Sequence, residues 1–178
     1  MSHIFSTLLV ATCLVGCLNL DGMVHNPVHC SKVTEATCSE KDYWDRVCTD
    51  CDTPYDWSYA YEWMSTTLAE GETIRPIDSS AVVNHQVKTT DGEGVLDAYF
   101  IPSHGGDAAL AQTTILYNHG NYAGIEHYLP RIQMLHEAGY NIVVWDYRGY
   151  GKSQPETAPS PTAFLADARQ MREEAKAW

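Results

Sequence analysis

The alternation of apolar and polar positions is clearest between residues 113 and 153, where two apolar runs flank a helical pattern. Residues 114–117 (Thr-Ile-Leu-Tyr) and 141–146 (Asn-Ile-Val-Val-Trp-Asp) have the composition of buried strands. Between them, apolar residues recur at the spacing of a helix that Gly139 is placed to end. This order predicts a parallel βαβ unit, with functional loops beyond the carboxyl ends of its strands.

Shorter patterns extend this unit on both sides. Residues 82–88 and 95–101 are β-rich runs, and the Asp91-Gly92 pair between them predicts a hairpin. Residues 102–112 are polar and predict a surface loop. The last pattern predicts a helix with a serine cap and proline at its first position, and its residues are Ser160, Pro161, Phe164, Leu165, Ala168, Met171, Ala175 and Trp178. The predicted fold class is therefore α/β.

The amino-terminal part of the chain has a different composition, which divides the sequence into residues 1–16, 17–80 and 81–178. Residues 17–80 are rich in cysteine and carry a dense set of aromatics: Tyr43, Trp44, Tyr55, Trp57, Tyr59, Tyr61 and Trp63. Their period of two suits a strand, whereas the residues between them favour a helix from about 56 to 68. These aromatics either pack against the main domain or form a platform for a sugar or lipid.

The first residues predict an export signal. Residues 4–16 form an apolar run that is too short for the roughly 20 residues of a membrane-spanning helix. It ends in Leu14-Val15-Gly16-Cys17, which resembles a bacterial lipoprotein box. The resemblance implies lipidation of Cys17, a membrane contact through that anchor, and location in the cell envelope, at the outer rather than the inner membrane. A plain signal peptide and a buried amino-terminal helix are the alternatives.

Four cysteines remain if Cys17 is lipidated and the segment before it is removed: Cys30, Cys38, Cys48 and Cys51. An even number in an exported chain predicts disulfides, and the sequence leaves three connectivities open. The rival interpretation is a metal site, because Cys48-x-x-Cys51 has ligand spacing and histidines are near. Free thiols are the third possibility.

The charge balance narrows the class of partner. The 178 residues contain 23 Asp and Glu against 11 Lys and Arg, with a net charge of −12. No basic stripe occurs along the chain, so a nucleic-acid surface is disfavoured. Because 44% of the residues are apolar, the chain has enough hydrophobic residues to form a core.

The glycine-rich run 149–153 (Gly-Tyr-Gly-Lys-Ser) partly matches three short motifs, and it lacks a required glycine of each. A phosphate-binding P-loop needs glycine where Asp146 stands. A dinucleotide loop needs glycine at Gln154. A nucleophile elbow, G-x-S-x-G, needs glycine at Pro155, so Ser153 is not predicted to be a nucleophile.

A fourth interpretation fits every residue of both loops. His119-Gly120-Asn121 follows the first strand, and the run 146–153 (Asp-Tyr-Arg-Gly-Tyr-Gly-Lys-Ser) follows the second. This pair closely resembles the α/β-hydrolase superfamily, particularly its serine-aminopeptidase-like lysophospholipase branch, over about residues 82–178. The resemblance implies the amino-terminal half of an α/β-hydrolase sheet. It also implies cofactor-free hydrolysis of a small ester, lysophospholipid or peptide.

The resemblance also assigns roles to residues. It assigns the backbone amide of Asn121 to the oxyanion hole and places Tyr122 in the lining of the site. A strand-end loop that leads into a helix does present amides toward developing negative charge. The other motif residues are expected to shape the loops without reacting, and they are His119, Gly120, Asp146, Arg148, Gly149, Gly151 and Ser153.

The triad of this family has no candidate in the sequence, because no G-x-S-x-G and no later acid and histidine occur. We therefore expect an amino-terminal fragment that is inactive alone. In the family the elbow strand pairs beside residues 114–118, so that strand should have an open edge and the chain marginal stability. A non-catalytic surface lipoprotein that binds a partner, and a longer family member from which the rest was removed, are the alternatives.

Overall fold

A four-stranded mixed sheet is the centre of the fold. The computed structural model describes residues 27–33, 49–58, 75–121 and 124–178. The strands are β1 (Val83–Lys88), β2 (Val95–Ile101), β3 (Thr114–Tyr117) and β4 (Asn141–Trp145). Their order across the sheet is β1-β2-β4-β3.

The predicted hairpin is confirmed. Strands β1 and β2 pair antiparallel, with Val87 opposite Leu96. Gly92 in the turn has φ of 75°, a left-handed conformation that glycine adopts without strain. The amide of Gly92 donates to the carbonyl of Thr89 at 2.9 Å, which closes the turn.

The predicted βαβ unit is also confirmed. Strands β3 and β4 are parallel, while β2 and β4 are antiparallel. Between β3 and β4, a 3₁₀ turn (Ile125–Tyr128) leads into helix α1 (Leu129–Glu137). Strand β4 ends at Trp145, one residue earlier than the sequence pattern indicates, although the Asp146 amide still donates to the Asp97 carbonyl at 2.9 Å.

Among the described residues, one helix packs on each face of the sheet. Helix α2 (Pro161–Ala175) begins at the predicted cap, where the Ser160 hydroxyl accepts from the Ala163 amide at 3.2 Å. Met171 of α2 packs on one face with Trp145 and Leu96. Helix α1 packs on the other face, whose buried residues include Tyr55, Trp57, Tyr99, Ile101, Leu129, Ile132 and Val144.

The described pieces of the lead segment are attached to the sheet domain. Cys30 and Cys51 form a disulfide with their Cα atoms 4.9 Å apart. The Cys30 amide donates to the Gly151 carbonyl at 2.7 Å, and the Gly151 amide donates to the Val28 carbonyl at 2.9 Å. The predicted signal, Cys17, Cys38, Cys48 and most of the predicted helix from 56 to 68 lie outside the described residues.

Strand β3 lies at one edge of the sheet. Within the described part of the chain it pairs with β4 alone, as the predicted open edge requires. Strand β1 forms the opposite edge. None of the described helices is both long enough and apolar enough to cross a membrane.

Candidate functional site at the carboxyl ends of β3 and β4

The loop after β3 is held by hydrogen bonds from the last residue of β4 and from the loop that follows it. Trp145 Nε1 donates to Asn118 Oδ1 at 3.0 Å, and the Tyr147 hydroxyl donates to the His119 carbonyl at 2.6 Å. The Tyr150 hydroxyl lies 3.4 Å from the Asn121 carbonyl, at the limit of a hydrogen bond. Asn121 itself is exposed.

His119 is buried inside the loop. Its Nδ1 lies 2.7 Å from the Gly120 carbonyl, to which it donates, and its ring stacks on Tyr147 at 3.9 Å between centroids. Its Nε2 faces Asp146 Oδ1 at 3.7 Å and has no hydrogen-bond partner in the described residues. Burial lowers the pKa of His119 to about 4, so the ring is neutral near pH 7.

Asp146 is the fully buried centre of the site. Its carboxylate accepts from the Tyr55 hydroxyl at 2.7 Å, the Ile125 amide at 2.7 Å and the Lys152 amide at 3.1 Å. Burial raises the pKa of Asp146 to about 7, and neighbouring Asp97 adds to the rise, while the three donors oppose it. One side chain thus ties together the lead segment, the turn before α1 and the loop after β4.

Two glycines make this arrangement possible. A Cβ at Gly151 would overlap the Asp146 carboxylate, and the residue has φ of 46°. A Cβ at Gly124 would lie 2.6 Å from the same carboxylate. The glycine-rich composition of the loop therefore permits close approach to an aspartate, instead of cradling a phosphate.

Arg148 anchors the loop from its other side. Its guanidinium contacts Asp167 of α2 at 2.7 Å and Asp91 of the hairpin turn at 2.8 Å. Asp167 is 1% exposed, and burial raises its pKa although the arginine opposes this. Hydrogen bonding to Arg148 lowers the pKa of Asp91.

Ser153 has a structural position and no nucleophilic arrangement. Its hydroxyl is fully buried, donates to the Asp146 carbonyl at 2.5 Å and accepts from the Asp97 amide at 2.8 Å. No described histidine nitrogen contacts this hydroxyl. Through these two hydrogen bonds, Ser153 joins β2 to the loop after β4.

Sequence reasoning missed two members of the cluster. The sequence places Tyr55 only in an aromatic segment and Asp97 only in a strand, although both contribute to the environment of Asp146. No local signal marks them, since Tyr55 is 91 residues from its partner. Tyr122, the predicted lining residue, lies outside the described residues.

A potential ligand group for metal lies beside the site. Donor atoms of His29, Cys30 and Cys51 all lie within 4.8 Å of one another. Both sulfur atoms are joined in the disulfide, so neither is a thiolate, the form in which cysteine binds metals. Cys48, which the predicted metal site shares with Cys51, lies outside the described residues, and the structure joins Cys51 to Cys30 in the disulfide.

The comparisons with known proteins give a partial match. The uncharacterized protein YfhR of Escherichia coli K12 is 38% identical over 74 residues, and YfhR of Salmonella typhi is 34% identical over the same length. The match covers 42% of this chain and spans about a quarter of the length of those relatives. No protein-family model matches the chain.

One solved structure shows a weak likeness. An esterase from Pyrococcus furiosus superposes with a TM-score of 0.44 at 24% identity, covering 54% of this chain and 34% of the esterase. What the structure shows directly is the mixed α/β sheet and the two loops described above.

Proposed function

We propose that this chain supplies the amino-terminal half of the sheet of an exported serine hydrolase of the α/β type. The observation that carries the proposal is the loop His119-Gly120-Asn121 at the carboxyl end of parallel strand β3, braced by the loop after β4. Carboxyl ends of parallel strands are where α/β folds place their sites. The exposed end of this loop is suited to holding an oxyanion with the Asn121 amide.

The proposed reaction is acyl transfer. A serine hydroxyl, supplied by a segment beyond these 178 residues, attacks the carbonyl carbon of an ester, lysophospholipid or peptide and loses its proton to a histidine. The C–O or C–N bond breaks, the leaving group takes that proton, and water then hydrolyses the acyl-serine. Asn121 would donate its backbone N–H to the oxygen that becomes negative.

The test separates the backbone of Asn121 from its side chain. In the complete gene product from its source cells, Asn121→Pro removes the N–H, whereas Asn121→Ala retains it. We expect Asn121→Pro to lower the rate of p-nitrophenyl acetate hydrolysis by about 10²–10³-fold. Asn121→Ala should stay within a few fold of the unaltered protein. Equal rates in the two variants, at matched thermal stability, would reject the assignment.

Export and lipidation are part of the same proposal. They rest on the apolar run 4–16 and on the box that ends in Cys17. Radiolabelled palmitate should enter the protein in cells and should be absent from the Cys17→Ala variant. Failure of the label to enter, or equal labelling of the variant, would leave the hydrolase proposal standing without the anchor.

A second candidate function rests on the edge position of β3. No described strand pairs with the outer side of β3, so this apolar strand offers backbone groups to a partner strand, which would suit a non-catalytic binding protein at the cell surface. This candidate predicts no hydrolysis by any form of the gene product. The rate of p-nitrophenyl acetate hydrolysis by the unaltered gene product therefore discriminates between the two functions.

A further inference from the structure

The disulfide between Cys30 and Cys51 has one buried and one accessible partner. Cys30 is 4% exposed, whereas Cys51 is an exposed residue that lines a surface cleft with Asp52 and Pro54. All of residues 50–54 are exposed. Because the rate of thiol–disulfide exchange depends on access to the sulfur that is attacked, a reductant meets this disulfide at Cys51.

Cys30 belongs to a piece of the lead segment, residues 27–33, that is attached at Gly151. The Cys30 amide donates to the Gly151 carbonyl at 2.7 Å, and the Gly151 amide donates to the Val28 carbonyl at 2.9 Å. His29 and Cys30 are the buried residues of this piece. Its own attachment to the sheet domain is therefore small.

Through the disulfide, residues 27–33 share the firmer attachment of residues 49–58. Tyr55 and Trp57 of the second piece belong to the buried core, and the Tyr55 hydroxyl donates to Asp146 at 2.7 Å. Two attachments that are directly linked hold each other in place, whereas without that link each one opens more independently. Loss of the disulfide should therefore raise the population in which residues 27–33 are detached.

Detachment at Gly151 reaches the centre of the candidate site. Gly151 lies against the Asp146 carboxylate, and the next amide, that of Lys152, donates to this carboxylate at 3.1 Å. The same loop after β4 braces the loop after β3, because the Tyr147 hydroxyl donates to the His119 carbonyl. The disulfide is thus in a position to control how firmly the loop after β4 is held.

We propose that Cys30 and Cys51 form a redox switch, which a dithiol reductant opens and whose opening loosens the loop after β4 at Gly151 and Lys152. One thiolate of the reductant attacks Cys51 Sγ, and Cys30 leaves as a thiolate that takes up a proton. The second thiolate of the reductant then attacks the reductant's own sulfur in the mixed disulfide, and Cys51 leaves in the same way. The two cysteines gain two electrons and two protons, and the dithiol becomes a disulfide.

The first test measures amide hydrogen exchange in the unaltered chain before and after treatment with dithiothreitol, with alkylation to count the thiols. On reduction, exchange at the Gly151 and Lys152 amides should become about tenfold faster or more, while the β2 amides should stay within about twofold. Reoxidation should restore the slow rates. A pair that dithiothreitol leaves oxidised, unchanged exchange after reduction, or equal acceleration in β2 would overturn the proposal.

Two double variants assign the response to this pair. Cys30→Ser with Cys51→Ser should show the fast exchange without dithiothreitol and should not respond to it. Cys38→Ser with Cys48→Ser retains the pair and should respond like the unaltered chain. The opposite behaviour of either variant would overturn the proposal. The exchange measurements need no reacting serine, so they can fail while the proposed hydrolysis stands, and hydrolysis can fail while the switch stands.

Discussion

At the scale of single residues, His119 and Asp146 have opposite effects on how stability depends on pH. The folded-state pKa of His119 is about 4 against 6.5 for an ordinary histidine, so the unfolded chain binds the extra proton between these values. This contribution makes the free energy of unfolding rise with pH through that window. The folded-state pKa of Asp146 is about 7 against 3.8, so the folded chain binds the extra proton and the contribution falls with pH. Between pH 4 and 6.5 the two slopes nearly cancel.

Substituting either residue should leave only the other residue's contribution to the pH dependence of the unfolding free energy. His119→Phe should lower the slope of unfolding free energy against pH by up to about 1.4 kcal/mol per unit between pH 4 and 6.5. Asp146→Asn should raise that slope by up to about the same amount. Urea titrations at half-unit intervals measure both. Slopes that change in the same direction in the two variants would contradict the assigned protonation states.

At the scale of elements, Arg148 joins the loop after β4 to helix α2 and to the hairpin. Arg148→Met leaves the carboxylate of Asp167 buried without its partner, so we expect a loss of about 3–5 kcal/mol of unfolding free energy. The matched control is Arg172→Met, which removes an exposed pair with Glu173 and should cost about 0–1 kcal/mol. Chemical denaturation measures the unfolding free energy of both variants. Similar losses in the two variants would mean that the buried pair does not anchor the loop.

The disulfide joins the two described pieces of the lead segment, residues 27–33 and 49–58. A loop closed across a separation of 21 residues should stabilise the fold by about 3 kcal/mol, mainly by restricting the unfolded chain. We expect the double variant Cys30→Ser with Cys51→Ser to lose about this amount in urea denaturation. Peptide mapping of the unreduced chain should recover Cys30 linked to Cys51. Recovery of both as alkylated thiols would refute the pairing.

The elements that could be predicted are those whose signal is local. The hairpin follows from Asp91-Gly92 between two β-rich runs, and helix α2 follows from a serine cap and an apolar stripe. The attachment of the lead segment could not be predicted, because Tyr55 and Asp146 are 91 residues apart and no periodicity connects them. Four cysteines likewise allow three pairings, and only three-dimensional proximity selects Cys30 with Cys51.

The candidate site could likewise be predicted from the sequence only in part. The resemblance identifies His119 and Asp146 as motif residues, and the structure brings their side chains within 3.7 Å. Their protonation states depend on burial, which a sequence does not encode position by position. The role of Asn121 in catalysis stays a prediction.

At the scale of the whole molecule, the two edges of the sheet differ. Strand β1 is polar and ends in Lys88, a residue that discourages pairing between molecules, whereas β3 is the apolar run Thr-Ile-Leu-Tyr. We expect self-association through β3. In sedimentation experiments, Thr114→Lys should reduce association that increases with concentration.

The matched control for that experiment is Val83→Lys on the β1 edge, at a side chain that is 48% exposed. It should leave the association unchanged. A chain that remains monomeric at every concentration, with a sharp cooperative melt, would count against both the open edge and the expected marginal stability.

The most direct test of the account is to find the serine that reacts. The gene product is captured from source cells with an antibody against the α2 segment, treated with a fluorophosphonate probe, and mapped by mass spectrometry. We predict a labelled serine in a G-x-S-x-G sequence that lies beyond these 178 residues, and no label on the 178-residue chain alone. A labelled serine within this chain, such as Ser153, or no labelled serine in any captured form, would contradict the account.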